Sequence, residues 1–198
     1  MSDTYKTISA LSEGLYKEKG SRFISFAVPV SSLDEIKNLL TDYRKQFYDA
    51  RHVCYAYILG AERSEYRAND DGEPSGTAGK PILGQINSFE LTNVLVVVVR
   101  YFGGVLLGTG GLVSAYREAA ADAIRQAEIV ERTVDCHLIA TFNYLQMNDV
   151  MKAVKDTNAQ IIKQYYEQNC VLELSIRKND AQLLSEKLLK IKTLSLQK

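Results

Sequence analysis

The sequence predicts an α+β protein built as two domains, and three observations predict it. Apolar residues switch repeatedly between the two-residue period of strands and the 3.6-residue period of helices. A valine-rich run at residues 94–99 is apolar on both faces, as a central strand must be. From residue 133 onward the pattern reads strand, helix, strand, strand, helix, strand, a complete order for one small domain. The boundary therefore falls between residues 1–132 and 133–198, with residues 131–135 as a short junction.

Residues 21–30 carry Phe23, Ile24, Phe26, Val28 and Val30 and read as a strand. Ser32 and Glu35 then have capping-box spacing, and Ile36, Leu39, Leu40 and Tyr43 follow at helical intervals. Residues 53–59 alternate as a strand, with residues 65–69 as a pairing partner. Pro81, Ile82, Leu83 and Ile86 predict a short helix with proline in its first turn. Residues 94–101 are the central strand, and the alanine-rich stretch 112–127 is a long helix. In the last third, Cys136, Leu138, Ala140 and Phe142 alternate, then Met147, Val150, Met151 and Val154 step as a helix. Residues 161–165 and 170–176 are strands, Leu184, Leu188 and Ile191 mark a helix, and residues 193–196 form a final strand. That βαββαβ order is ferredoxin-like.

Lys plus Arg equals Asp plus Glu at 24 each, so no basic excess advertises a polyanion partner. Cys54, Cys136 and Cys170 lack C-x-x-C spacing and are odd in number, which predicts reduced thiols and a cytoplasmic location. Residues 1–17 are polar and carry acids, unlike a secretory signal. The valine-rich run at residues 94–99 spans 6 residues, far short of the roughly 20 that cross a bilayer, so no membrane association is expected.

Two glycine-punctuated blocks concentrate the chemistry. The first, residues 69–81, reads N-D-D-G-E-P-S-G-T-A-G-K-P; the second fills residues 96–117. Gly103, Gly104, Gly108, Thr109, Gly110 and Gly111 lie between the central strand and the long helix, where free amides at a helix N-terminus face anions. Thr109 is placed to cap the helix or donate to a phosphate oxygen, and Arg100 and Arg117 add charge. A tight strand-to-helix turn with close packing is the plainer reading. The block matches neither G-x-G-x-x-G nor G-x-x-x-x-G-K-[ST], so no nucleotide cofactor is expected.

In the first block Asp70, Asp71 and Glu73 sit beside Ser75, Thr77 and Lys80. Such acids can hold Mg²⁺ or serve as a general base. They equally build a turn and cap the next helix. A third option pairs Asp71 or Glu73 with Arg100 or Arg22. His52 and Cys54 share a strand face but stand roughly 6.5–7 Å apart at the Cα, too far for a nucleophile–base pair. Cys54 reads as buried beside Ala56 and Ile58, and His137 as structural. No catalytic residue or metal site is assigned.

These motifs resemble the YigZ/IMPACT family. Its signature D-D-G-E-P-[SA]-G-T-A-G stands here at residues 70–79, and V-V-V-x-R-[YW]-[FY]-G-G-x-x-L-G-x-G-G-L at residues 96–112. Lys19, Gly20, Ser21, Arg22, Phe23 and Ile24, with His52, Cys54, Tyr55, Ala56 and Tyr57, support the match. The resemblance covers about the first two-thirds of the chain. It implies a first domain like elongation factor G domain IV and the second domain of a small-subunit ribosomal protein, and a second domain like elongation factor G domain V. Eukaryotic relatives regulate translation by engaging a partner of a stress-activated initiation-factor kinase, largely through an extra N-terminal domain. What the resemblance carries to this chain is contact with RNA or the ribosome. Two positions depart from the family: Ser114, where many relatives have Lys or Arg, and Val53, where Asn is usual.

The expected function is thus non-enzymatic, translation-linked RNA or ribosome binding. The face expected to carry it holds Arg22, Arg67, Lys80, Arg100, Tyr101, Gly103, Gly104, Gly108, Thr109, Gly110, Gly111 and Arg117. Two alternatives stay open: an enzyme acting on a phosphorylated or anionic small molecule at Asp70, Asp71, Glu73, Ser75 and Thr77, and a protein-binding regulator of a translation factor.

Overall fold

A strand apolar on both faces must be covered on both, and the fold is organised by that requirement. The computed structural model describes residues 3–197. Its first half runs β1 (Thr4–Ile8), β2 (Ser12–Glu18), β3 (Ser21–Pro29), α1 (Leu33–Gln46), β4 (His52–Leu59), β5 (Glu65–Asn69), α2 (Gly79–Ser88), β6 (Val94–Tyr101), α3 (Gly108–Gln126) and β7 (Ile129–Thr133). An antiparallel sheet takes the order β2-β3-β6-β4-β5, which puts the valine run at its centre. Val94, Val96 and Val98 pack with Phe23, Cys54 and Ala56 against α2 and α3, through Ile82, Ile86, Tyr116 and the alanines Ala115, Ala119 and Ala123. Leu95, Val97 and Val99 point the other way, onto Ile36 and Tyr43 of α1. Each of these fully buried valines contributes roughly 1.5–3 kcal/mol.

The Ser32 hydroxyl accepts from the Glu35 amide at 3.2 Å, as capping-box spacing predicts. The reciprocal half differs: the Glu35 carboxylate accepts from the amide of Ser31 at 2.8 Å, one residue upstream of the cap. The long helix begins at Gly108, four positions before the predicted start, so the glycine block supplies its first turn. Strands β1, β2 and β7 have no counterpart in the sequence reading. They carry few apolar side chains; β1 pairs with β7 as a separate ribbon and β2 runs along the edge of β3.

The chain divides into a unit of Tyr5–Arg132 and a second whose described residues are 3–4 and 133–197. The second runs β8 (Asp135–Phe142), a 3-10 turn (Tyr144–Gln146), α4 (Met147–Asp156), β9 (Gln160–Tyr166), β10 (Cys170–Arg177), α5 (Ala181–Leu189) and β11 (Ser195–Gln197). Its sheet order β11-β8-β10-β9, with antiparallel neighbours, is that of a ferredoxin-like domain. Leu138 faces Leu174 and Ala140 faces Leu172 across β8 and β10, so the alternating positions form one buried face under α4 and α5. Asp3 joins this unit because its carboxylate accepts from Arg177 Nη2 at 2.8 Å and its carbonyl from the Val134 amide at 2.7 Å.

Candidate functional site

Strand parity decides which residues of the first unit meet. Arg100 continues the Val94, Val96, Val98 series and so points to the α2 and α3 face, with His52 of β4 and Phe23 of β3 as its cross-strand partners. The acidic block leaves β5 and the second glycine block leaves β6. Glu73 and Pro74 of the first and Phe102, Leu106, Gly108 and Thr109 of the second wall one cleft of about 490 Å³, with Arg51, His52 and Arg100 at the strand ends.

The acidic block is consumed by its own fold. Asp70 accepts from the amides of Gly76 at 2.8 Å, Ala78 at 3.0 Å and Gly79 at 2.8 Å, so it caps α2 from nine residues away. Burial by itself would raise the Asp70 carboxyl, but these amides, helped by Lys80, hold it below the usual carboxylate value. Asp71 takes Arg44 and, at 2.6 Å, the Val53 amide. The Thr77 hydroxyl donates to the Pro74 carbonyl at 2.6 Å. Ser75 and Lys80 are exposed.

Glu73 forms the centre of a buried polar network. It is 8% exposed and accepts from Arg100 Nη1 at 2.7 Å and from the Tyr116 hydroxyl at 2.8 Å. Of the ion pairs the sequence left open, Glu73 with Arg100 is the one formed, so the Arg100 charge is already met within the protein. His52 Nδ1 lies 2.8 Å from the Asp71 carbonyl, which only accepts, so Nδ1 carries the proton and Nε2 turns toward Glu73 at 3.9 Å. Cys54 is fully buried; its thiol lies 3.0 Å from the Asp70 carbonyl and 3.3 Å from the Tyr116 hydroxyl, and burial pushes its pKa up. A thiol held in that state is no nucleophile. Burial likewise raises the Tyr116 hydroxyl. Among the described residues no group of three or more His, Cys, Asp and Glu side chains is arranged to hold a metal ion.

The second block is open where the first is closed. The capping position of α3 is Leu107, whose side chain has nothing to offer the first amides, and Gly108, Thr109 and Gly110 are exposed. Gly108 has φ +69, a left-handed start that favours glycine. Gly103 serves packing instead: a Cβ there would lie 1.9 Å from the Gly20 backbone, and its amide donates to the Ser21 hydroxyl at 3.2 Å. Gly104 is exposed and Gly111 half-buried.

Several expected residues do not line the cleft, Arg22, Arg67, Lys80, Tyr101 and Arg117 among them. Arg22 and Tyr101 are register partners of opposite parity to Phe23 and Arg100; the Arg22 guanidinium sits 5.1 Å over the Tyr101 ring, and the Tyr101 hydroxyl donates to Asp49 at 2.8 Å. Arg67 pairs with Tyr57 on edge strand β5, also on the α1 side. Arg117 is exposed on α3. The sequence reading did not single out Arg51 or Tyr116. The signal for Tyr116 was present as a lone phenol on an alanine-rich helix face, where a buried hydroxyl needs a partner.

Fold and site together define a two-domain α+β protein: a mixed domain with a strand-end cleft beside a helix start, followed by a ferredoxin-like domain. Residues 19–124 match the Impact N-terminal domain. The chain is 31% identical over 186 residues to the IMPACT family member YvyE of Bacillus subtilis, covering 94% of this chain and 86% of that one. It is 34% identical over 160 residues to the IMPACT family member YigZ of Escherichia coli, covering 80% and 78%. A crystal structure described as that of a hypothetical protein superposes with a TM-score of 0.77 at 30% identity, covering 99% of this chain and 97% of that one. The chain belongs to the IMPACT family.

Proposed function

We propose that this protein acts in translation by binding RNA, free or on the ribosome, through the cleft shared by its two glycine blocks. One observation carries the reading: a 19-residue helix with no side-chain cap begins at the wall of a cleft rimmed by exposed Phe102 and Leu106. Open amides at a helix start favour phosphate, and an exposed aromatic ring suits an unpaired base. Arg51 lines the cleft, and Lys80 and Arg117 are exposed on the segments that flank it. The family resemblance adds the link to translation. The enzymatic alternative loses ground because Asp70, Asp71 and Glu73 already serve amides, arginines and a tyrosine. Among the described residues no helix is long and apolar enough to cross a membrane.

Titration of a single-stranded RNA oligonucleotide at several salt concentrations tests the proposal. Affinity should fall as salt rises, with a logarithmic slope of about −0.7 per phosphate engaged. Reversing Arg51, Lys80 and Arg117 to glutamate should weaken binding. A ribosome or lysate complex that survives nuclease treatment unchanged would favour the protein-partner alternative and sink this one.

A further inference from the structure

The cleft also limits which part of an RNA it takes. We infer that it holds a single unpaired nucleotide, with one phosphate at the start of α3 beside Arg100 and the base against Phe102 and Leu106. This rests on the RNA-binding reading above and specifies the ligand at the same site.

The phosphate end stands on two independent observations. The first is the uncapped helix start, where Gly108, Thr109 and Gly110 are exposed and a Cβ built on Gly108 or Gly110 meets nothing within 4 Å. Neither glycine carries a side chain that would crowd an anion approaching the first amides. The second is Arg100. Its side chain is only 8% exposed, lines the cleft and spends Nη1 on Glu73, yet its buried Nε–H has no hydrogen-bond partner. Buried donors are nearly always satisfied, so this one calls for an acceptor that enters the cleft.

The base end follows from the rim. Phe102 is 53% exposed and Leu106 84% exposed, and both line the cleft from the loop between β6 and α3. The Phe102 ring already lies 5.7 Å from the Arg100 guanidinium, so a base on its outer face would extend an existing stack. A volume of about 490 Å³ falls within the roughly 300–1,000 Å³ typical of small-ligand sites. Electrostatics set the charge. Glu73 neutralises Arg100, which leaves Arg51 and the helix dipole as the positive groups at the cleft. Such a field suits the single charge of a phosphodiester and disfavours a triphosphate.

The test uses the full chain, labelled for amide NMR, and three probes: a uridine decanucleotide, uridine monophosphate and inorganic phosphate. The oligonucleotide and the monophosphate should shift the amides of Gly108, Thr109 and Gly110. Gly110→Asp adds a carboxylate at the start of α3, in a position with open space and ordinary φ, and should weaken both by at least about tenfold while the fold persists. Leu106→Ala should weaken uridine monophosphate severalfold and leave inorganic phosphate unchanged. An oligonucleotide that binds without moving those amides, and binds Gly110→Asp as well as wild type, overturns the nucleotide subsite and leaves RNA binding standing. Monophosphate binding at α3 with no oligonucleotide binding keeps the subsite and overturns RNA binding. Equal affinity for inorganic phosphate and uridine monophosphate overturns the base wall.

Discussion

The two glycine blocks look alike in composition and do opposite work. In the first, Asp70, Asp71, Glu73 and Thr77 each accept or donate within the protein, so the loop is a brace. In the second, the start of α3 has no internal cap and faces an open cleft. The difference teaches that a polar, glycine-rich loop is not by itself a binding site. What matters is whether its donors and acceptors already have partners.

The sharpest way to break this contrast is Glu73→Gln. It leaves the Arg100 charge buried without its counter-ion and should cost about 3–5 kcal/mol in denaturant unfolding. A cost near zero would mean that the acidic block is not a brace. Asp70→Asn comes next, removing a charged acceptor of three amides for about 2–3 kcal/mol. Its pH dependence has a definite sign. The folded Asp70 carboxyl is held low, so its contribution is fully present above the unfolded value of about 3.9 and is lost as pH falls through the lower folded value. The stability gap between wild type and Asp70→Asn should therefore close below about pH 4. Tyr116→Phe removes one donor to Glu73 and should cost about 1–2 kcal/mol, measured the same way. Gly110→Asp sharpens the contrast from the other side, because a carboxylate at the helix start should raise stability by about 0.3–1 kcal/mol while impairing binding. Thermal unfolding run alongside the RNA titration reads both effects.

The fold was legible wherever burial is periodic. The valine run of β6 is apolar on both faces because helices cover both, and Cys170, Leu172, Leu174 and Ile176 alternate because β10 is covered on one. Strands β1, β2 and β7 escaped because pairing holds them with few apolar side chains buried, and hydrogen bonds between backbones leave no mark on side-chain pattern. At the site, the motifs were legible and their meeting in one cleft was expected. Their partners were not. Glu73 and Tyr116 are 43 residues apart, and no local spacing announces their bond. Arg22 and Arg100 looked equivalent as charges, yet they fall on opposite faces because Arg22 pairs with Tyr101 while Phe23 pairs with Arg100. A shift of one residue in a strand reverses its face.

Amide NMR during RNA titration tests the contrast most directly, since it reads both loops in one spectrum. Gly108, Thr109 and Gly110 should shift with saturating RNA while Gly76, Ala78 and Gly79, held by Asp70, stay fixed. Shifts confined to Gly76, Ala78 and Gly79, with the start of α3 unmoved, would contradict it.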